Sequence, residues 1–387
     1  MCHVQNTAIL AENADFFAYL KKKLYLCRKM RNTYLHIVLL LCFFAQWCFA
    51  DELSLIRLYT PADTTEYTDF PTALTKANKS PQAKMVLLGD VRFAGGAKTQ
   101  TLKTNLFLDL NGYSFGDTLL NTSLLSLGID TLGLHITSSR PGGRLWVTRP
   151  NYNGRIYAVS ANRGQVRIDS IYIEAENLCD SMMPSAAVTA VSIGTLASLQ
   201  MQDCAIRVQS SGGAYGVGMN APDTLPLSRV VRTRIQVTGR QQVTGVLNKG
   251  LLEMEDDTVS VQTTFNTCYG YHAYGATANC HMSRCSFIAE AGTTTTCGAF
   301  SQLGHLYAED CRFEATCRLD TATIVTSCGT RAFSIGPGYT ASLQRCVLRA
   351  MSLRPFLAKS IHAISGYISS RLTVEDCELY TEGAELV

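Results

Sequence analysis

Apolar and polar residues follow one repeating pattern over most of the chain, and the pattern is clearest between Leu199 and Val208. This stretch reads Leu-x-Met-x-Asp-Cys-x-Ile-x-Val, and it recurs seven more times. In the other repeats the position of Cys204 is taken by Ile171, Thr233, Asp257, Cys285, Cys311, Cys346 and Cys377. A repeat of roughly 20 to 50 residues is typical of a solenoid, in which each repeat forms one turn.

Two more columns of apolar residues accompany the Cys204 column. They are the column of Ile206, with Ile173, Ile235, Val259, Phe287, Phe313, Leu348 and Leu379, and the column of Met201, with Ile168, Val230, Met254, Met282, Ala308, Leu343 and Val374. Within each stretch the apolar residues alternate with polar ones, as in β-strands that bury one face. The alternation slips by one residue between Met201 and Cys204, so the pattern predicts a corner at Gln202 and Asp203.

A second ladder of short segments lies 11 to 16 residues before the Cys204 column. Its members are Ala158-Val159-Ser160, Ala190-Val191-Ser192, Gly216-Val217-Gly218, Gly245-Val246-Leu247, His272-Ala273-Tyr274, Gly298-Ala299-Phe300, Ala332-Phe333-Ser334 and Ala363-Ile364-Ser365. Each repeat therefore contains three short strands, which predicts an all-β solenoid with three strands per turn and regular repeats from about residue 157.

The predicted corner carries charges of alternating sign. In chain order the corner residues are Asp203, Arg232, Asp256, Arg284, Asp310, Arg345 and Asp376. Parallel strands of successive turns lie about 4.8 Å apart, so each arginine is expected next to carboxylates of the neighbouring turns. The column predicts an exposed ladder of ion pairs that helps to fix the register. It does not suit a row of metal ligands, because a cation would meet an arginine at every second turn.

The Cys204 column predicts buried free thiols rather than disulfides. Its cysteines occupy places where Ile and Thr stand in other repeats, so Cys acts there as a small apolar residue. Side chains stacked in a parallel ladder lie about one strand spacing apart, which is wider than the ~3.8 Å between the Cβ atoms of a disulfide. Asp257 places a carboxylate in this inward column, which requires hydrogen bonds to compensate its burial.

Residues 51–85 do not repeat, and residues 51–112 are expected to form an N-terminal cap and the first turn, before the solenoid of residues 113–387. Asp69 is a candidate N-cap and Pro71 suits a first helical turn, so a short helix is expected to about Asn78. The segments Met85–Leu88 and Leu106–Gly112 then predict short strands, the second of which ends in an Asn-Gly turn.

A short helix, a Val-Leu-Leu strand and a Leu-Asp-Leu-Asn-Gly turn before a repeat resemble the beginning of a right-handed parallel β-helix of the pectate-lyase-like superfamily. This resemblance covers residues 51–387 and implies a fold that is common among secreted bacterial proteins. Pectate lyases of that family use clustered Asp and Glu for Ca²⁺ with an Arg or Lys base, and polygalacturonase-like hydrolases use several Asp with Gly-His-Gly. Neither motif is found here, so no catalytic residue follows from the resemblance.

Residues 1–50 resemble a secretory signal region. Basic residues between Lys21 and Arg31 precede an apolar run from Leu35 to Ala50, which is shorter than the roughly 20 residues that span a bilayer. A cleaved signal is expected, with an uncleaved N-terminal anchor as the alternative and Met30 as an alternative start. The expected location is outside the cytoplasm: secreted, periplasmic or at the cell surface. A formal net charge of +3 without clustered Lys and Arg does not favour nucleic-acid binding.

The candidate site residues lie on the second ladder, beside it or in the connections that lead into it. Tyr269, Tyr271, Tyr274, His272 and His362 are candidates for ligand binding, because aromatic rings on a solenoid surface suit stacking against sugars. His272, Asp320, Arg318 and Glu290 are weaker candidates for an acid–base set. No metal site and no cofactor are predicted, since Cys280 and Cys285 near His281 fall on apolar columns.

Three functions remain open from the sequence. The leading hypothesis is an exported, non-catalytic β-helix that binds a glycan or another cell-surface partner through its loops and aromatic residues. The first alternative is a polysaccharide lyase or glycoside hydrolase that acts in a cleft at the loop edge. The second alternative is a structural or assembly protein that associates end to end. Contact with a membrane is expected only through the N-terminal segment.

Overall fold

The repeats form a β-solenoid of about nine turns, as the apolar columns predict. The structure is a computed structural model that describes residues 54–178, 186–220, 227–264, 266–292, 295–318, 328–353 and 358–383. The signal-like segment therefore lies outside the described residues. Among the residues that are described, no helix is long and apolar enough to cross a bilayer.

The described part of the chain contains one helix, α1 (Phe70–Ala77), and parallel strands that repeat turn by turn. The strands are β1 Ile56–Tyr59, β2 Thr64–Tyr67, β3 Gln82–Leu87, β4 Gln100–Leu102, β5 Asn105–Asp109, β6 Ser114–Thr118, β7 Ser123–Leu127, β8 Gly133–Thr137, β9 Arg144–Thr148, β10 Arg155–Asp169, β11 Tyr172–Asn177, β12 Ala187–Gln202, β13 Ala205–Ser210, β14 Gly213–Met219, β15 Ser228–Val231, β16 Arg234–Gly239, β17 Val243–Asn248, β18 Leu251–Glu255, β19 Thr258–Thr263, β20 Cys268–Ser283, β21 Ser286–Ala291, β22 Thr296–Glu309, β23 Arg312–Cys317, β24 Cys328–Ile335, β25 Thr340–Gln344, β26 Val347–Ser352, β27 Ala358–Gly366, β28 Arg371–Glu375 and β29 Glu378–Gly383.

Two sheets build the wall of the solenoid. The larger sheet has 19 described strands and contains the first two strand positions of each turn, and the smaller has ten and contains the third. In β10, β12, β20 and β22 the first two positions run on as a single strand that bends on its way. β1 pairs antiparallel with β2 and β3. From β3 onward, each strand pairs in parallel with the equivalent strand of the next turn, so the columns of the repeat become straight rows of side chains.

The inward rows form a continuous apolar core. In β16, for example, Ile235 and Val237 are buried whereas the residues between them are exposed. Phe287 and Phe313 of successive turns stack inside with their ring centroids 5.6 Å apart. From β10 to β27 one inward row contains only Gly or Ala, namely Ala158, Ala190, Gly216, Gly245, Gly270, Gly298, Ala332 and Ala363. A Cβ built at Gly245 would lie 2.1 Å from a methyl carbon of Val259. The tight space beside this row explains why only the smallest residues occupy it.

The alignment of the second ladder was wrong by two residues in one turn. Val246 pairs with Tyr271, not with Ala273, so Gly270-Tyr271-His272 is the segment that continues the ladder. Tyr271 consequently points inward and is fully buried, and its hydroxyl accepts a hydrogen bond from Asn248 Nδ2 at 3.0 Å. His272 takes the outward place that the sequence pattern had assigned to Tyr274.

The predicted corner is present at every turn and has a left-handed backbone. All seven charged corner residues have φ between 48° and 57°. This conformation is uncommon for residues other than glycine, so the corner tolerates charged side chains in a position that glycine would usually take. Their side chains point away from the core into solvent.

The corner charges form separate ion pairs, each joining two neighbouring turns, rather than one unbroken ladder. Arg232 forks onto Asp203 with distances of 2.6 and 2.8 Å. The same geometry joins Arg284 to Asp256 and Arg345 to Asp310. Each arginine thus binds the carboxylate of the turn before it and not both neighbours. The neighbouring arginine lowers the pKa of the Asp203, Asp256 and Asp310 carboxyls.

The cysteines that follow the corner are free thiols, as predicted. Those of the inner turns are buried, and Cys377 in the last described turn is half-buried. The Cys204 thiol donates to the carbonyl of Gln202 at 3.1 Å, and the Thr233 hydroxyl makes the same bond to Val231 at 3.2 Å. This shared bond explains why Thr can replace Cys in this inward column, because both can satisfy the carbonyl exposed by the corner.

The helix α1 and the hairpin of β1 and β2 cover the first turn. Asp69 is the N-cap, and its Oδ1 accepts a hydrogen bond from the backbone N–H of Thr72 at 2.8 Å. Phe70 packs from α1 onto Phe115 of β6, with ring centroids 4.5 Å apart. The helix thereby shields the apolar cross-section of the solenoid, which is the role expected for a cap.

Candidate functional site

One outward row of the larger sheet alternates between tyrosine and threonine. The row contains Tyr157, Thr189, Tyr215, Thr244 and Tyr269, which are partners in successive parallel strands. Each of these residues stands directly before an inward Gly or Ala, so its side chain faces away from the core. The tyrosines recur at every second turn and are therefore about 10 Å apart.

These tyrosines line a groove of about 450 Å³ on the outer surface, which we call the tyrosine groove. Its floor consists of small side chains, among them Thr189, Ser192 and Gly218. The rings of the row rise above this floor because their neighbours in the next turns are short. The amides of Asn220, Gln242 and Gln302 also line the groove and supply hydrogen-bond donors and acceptors at its edges.

Two cationic side chains lie against aromatic rings of the groove. The guanidinium carbon of Arg155 is 6.0 Å from the ring centroid of Tyr215. Lys249 Nζ is 5.7 Å from the ring centroid of Tyr274. Both distances are in the range of a cation–π contact. The described lining residues include no Asp or Glu, so these two cations give the groove a positive charge.

His272 forms the centre of an aromatic stack at one end of the groove. Its ring lies 4.5 Å from the ring of Tyr269 and 5.5 Å from that of Phe300, nearly parallel to the latter. Nε2 is 2.9 Å from Gln302 Oε1, and Nδ1 is buried without a hydrogen-bond partner. Burial lowers the pKa of His272 to about 4, so the imidazole is neutral at neutral pH and Nε2–H donates to the amide oxygen.

The tyrosines are neutral hydrogen-bonding groups. Burial raises the pKa of Tyr215 and raises that of Tyr269 to about 12. Each ring therefore offers an apolar face together with a protonated hydroxyl, which is the combination that recognises a ligand with both carbon faces and hydroxyl groups. No single group here is shifted towards the pKa that an acid–base catalyst needs near neutral pH.

The structure brings three of the predicted binding residues together. Tyr269, His272 and Tyr274 all line the tyrosine groove. Tyr271 does not, because it is part of the core. His362 lies in the same outward row as Tyr269 but three turns further along, where it pairs with Arg331 and is exposed.

The proposed acid–base residues belong to two places. Arg318 Nε and Glu290 Oε1 form an ion pair at 2.8 Å beside the smaller sheet, whereas His272 lies on the larger sheet. Gln262 donates a hydrogen bond to the same Glu290 oxygen at 3.1 Å. Asp320 lies outside the described residues. The described geometry thus supplies no shared position for His272 and Glu290, and the role of Asp320 stays a prediction.

Four groove residues were missed in the sequence, namely Arg155, Tyr157, Tyr215 and Lys249. The signal was present at a fixed place, since Tyr157 and Tyr215 both stand two residues before an inward valine. Because the register at Tyr271 was misplaced, Tyr269 was not recognised as the third tyrosine of this row. Arg155 and Lys249 carried no signal of their own, because their position over aromatic rings depends on residues one or two turns away.

Asp257 is the one carboxylate in the inward Cys204 column of the described turns. It is 1% exposed, and it accepts hydrogen bonds from the backbone N–H groups of Thr233 at 2.7 Å and Glu255 at 3.2 Å. Burial raises its pKa to about 7 in spite of these two bonds. Its donors are parts of the corner itself, so Asp257 serves the turn and does not face the groove.

No metal site is evident in the part of the chain that the structure describes, since no three His, Cys, Asp or Glu side chains are grouped suitably. Comparisons of the chain with protein-family models, with curated proteins and with solved structures give no match. The function is therefore inferred from the tyrosine groove and its immediate surroundings.

Proposed function

We propose that the protein binds a glycan chain, or a glycan-bearing surface partner, in the tyrosine groove. The observation that carries this proposal is the row of tyrosines at every second turn, which is an extended series of ring faces along the solenoid axis. A long, repetitive ligand fits such a series better than a compact one, because it contacts several rings at once.

The floor and the edges of the groove support the same ligand class. Small residues between Tyr157 and Tyr215 leave room for a ring-shaped unit to lie flat against the sheet. The amides at the edge and the protonated hydroxyls of the tyrosines match the donors and acceptors of sugar hydroxyl groups. Aromatic side chains with a polar tip are the groups that suit such a mixed apolar and polar surface.

Tyr215 offers the cleanest test, because threonine occupies the equivalent place in the turns before and after it. The full-length protein is run through native gels that contain one neutral or acidic polysaccharide at a time, and its retardation is measured. We expect at least one polysaccharide to retard the protein, and we expect Tyr215→Thr to weaken this binding about tenfold by loss of one stacking surface.

The matched control is Tyr172→Thr, which removes an outward tyrosine from β11 of the smaller sheet and is expected to leave the retardation unchanged. The proposal would be contradicted if no polysaccharide retards the protein, or if Tyr215→Thr and Tyr172→Thr weaken the retardation equally. The wild type could instead release reducing ends or unsaturated products from a polysaccharide. If His272→Gln loses this activity, the function of the groove is catalysis rather than binding.

A further inference from the structure

A second, larger groove of about 870 Å³ lies near the N-terminal end, and we call it the N-terminal groove. It shares no lining residue with the tyrosine groove. One row of outward residues crosses it, with one residue from each of five neighbouring strands. This row consists of Tyr59, Lys84, Phe107, His135 and Arg167.

Phe107 and His135 form the middle of this row, with Lys84 on one side and Arg167 on the other, and Tyr59 lies beyond Lys84. Lys84 Nζ lies 5.9 Å from the ring centroid of Tyr59 and 5.3 Å from that of Phe107. The ring of His135 meets Phe107 edge to face, with centroids 4.6 Å apart. The half-exposed Phe107 ring therefore lies between an ammonium group and an imidazole on the surface of the groove.

Asp169 pairs with side chains at only one end of the row. Its Oδ2 lies 2.6 Å from His135 Nε2 and 2.7 Å from Arg167 Nε, and the side chain is almost buried. Lys84, in contrast, forms no ion pair with any described residue, and its charge faces only the rings of Tyr59 and Phe107. The groove thus has an uncompensated positive charge next to an exposed aromatic surface.

The neighbouring outward row leaves space above this surface. Gln82, Asn105 and Gln165 belong to that row, and Gly133 interrupts it. A Cβ built at Gly133 would meet no atom closer than 3.6 Å. The missing side chain therefore opens the groove beside Phe107 and His135, where a flat ring can enter from the outside.

We infer that the N-terminal groove binds an aromatic anion, with its ring against Phe107 and its carboxylate or phosphate group at Lys84. The apolar surfaces of Tyr59, Phe107 and Pro61 favour an aromatic ring over a hydroxylated one. The positive charge that Asp169 leaves uncompensated favours an anion over a neutral ligand. This site is independent of glycan binding in the tyrosine groove.

Phenyl phosphate is a suitable probe, because phenol and inorganic phosphate are its two halves. Titration calorimetry on the full-length protein is expected to show phenyl phosphate binding at least about tenfold more tightly than either half. Lys84→Gln is expected to lower this affinity about tenfold, since it removes the only cation of the row without an ion pair. Phe107→Thr is expected to lower the affinity for phenyl phosphate to that of inorganic phosphate.

Arg229→Gln is the matched control, because Arg229 lies in the same outward row two turns after Arg167 but is paired with Glu253 and Glu255. It should leave the affinity for phenyl phosphate unchanged. Equal binding of phenyl phosphate and either half, no binding at all, or equal losses in Lys84→Gln and Arg229→Gln would overturn the inference. Unchanged melting temperatures of the variants exclude unfolding as the cause of a loss.

Discussion

The corner column and the tyrosine row both run along one solenoid, yet they use repetition differently. In the corner, charges of opposite sign alternate, and each arginine is satisfied by a carboxylate of the same chain. In the tyrosine row, large and small residues alternate, and the partly buried rings line an open groove. A repeated row that satisfies its own groups stabilises the fold, whereas a row that lines an open groove offers a surface for a ligand.

Two adjacent carboxylates show how finely the fold separates these environments. Asp256 lies in the corner, where Arg284 lowers its pKa. Asp257 is the next residue, but it points inward, where burial raises its pKa to about 7. Because the chain bends at the corner, these neighbouring side chains lie on opposite sides of the wall and their pKa values shift in opposite directions. The role of a charged residue in this protein therefore depends on the row in which it lies.

The largest effect is expected from Asp257. Its folded-state pKa of about 7 lies above the ordinary value of 3.8. The protonated form is therefore favoured by folding, so its contribution to stability is full below pH about 4 and is lost as the pH rises to about 7. Replacement by the cysteine found in other turns, Asp257→Cys, is expected to add up to roughly 4 kcal/mol to the free energy of unfolding above pH 7.

Urea denaturation of the wild type and of Asp257→Cys at several pH values checks this expectation. The difference between their unfolding free energies should grow between pH about 4 and about 7 and then stay constant. Asp256→Asn should keep the pH dependence that Asp257 causes. A constant difference at all pH values would show that Asp257 is ionised in the folded protein.

The next largest effect on stability is expected from the inward row of Gly and Ala. A Cβ at Gly245 would lie 2.1 Å from Val259 and 2.6 Å from the carbonyl oxygen of Gly270. Gly245→Ala is therefore expected to cost about 1–3 kcal/mol of unfolding free energy through overpacking. Gly213→Ala is the control, since its Cβ would meet nothing closer than 3.5 Å. Equal stabilities of the two variants would contradict the tight packing of this row.

The smallest effect is expected from the corner itself. Arg284→Asp removes the ion pairs with Glu255 and Asp256 and places like charges together. The melting temperature should fall by a few degrees at low salt and by less in about 1 M salt, where screening is nearly complete. Arg240→Asp, at an exposed arginine without an ion pair among the described residues, should have little effect. Equal melting temperatures of the two variants at low salt would show that the ladder has no structural role.

The inward rows could be read from the sequence because their chemistry repeats with the fold. The three apolar columns and the corner at Asp203 were predicted, since a one-residue slip in the alternation keeps the apolar side chains inside only if the chain bends there. Tyr271 was misplaced because both Tyr271 and Ala273 suit an inward position by size and apolarity. Only the pairing of Tyr271 with Val246 and Ala299, together with the hydroxyl bond to Asn248, identifies the tyrosine as the inward residue.

The grooves were less predictable, because they depend on residues from different turns. Tyr157 and Tyr215 become neighbours only after the correct register is known, and nothing near Lys84 in the sequence indicates Phe107 or His135. The left-handed backbone of the corner was also not foreseen, since Asp and Arg carry no strong local signal for that conformation. Outward rows therefore need the structure, whereas inward rows follow from the period except where, as at Tyr271, two residues suit the same inward position.

A double comparison of Tyr215→Thr and Arg284→Asp tests the central claim most directly. Binding to a polysaccharide that retards the wild type and the free energy of unfolding at low salt are measured on the same samples. We predict that Tyr215→Thr loses binding more than stability, and that Arg284→Asp loses stability and keeps binding. If both variants lose stability and neither loses binding, the tyrosine row is part of the scaffold and the proposed function is wrong.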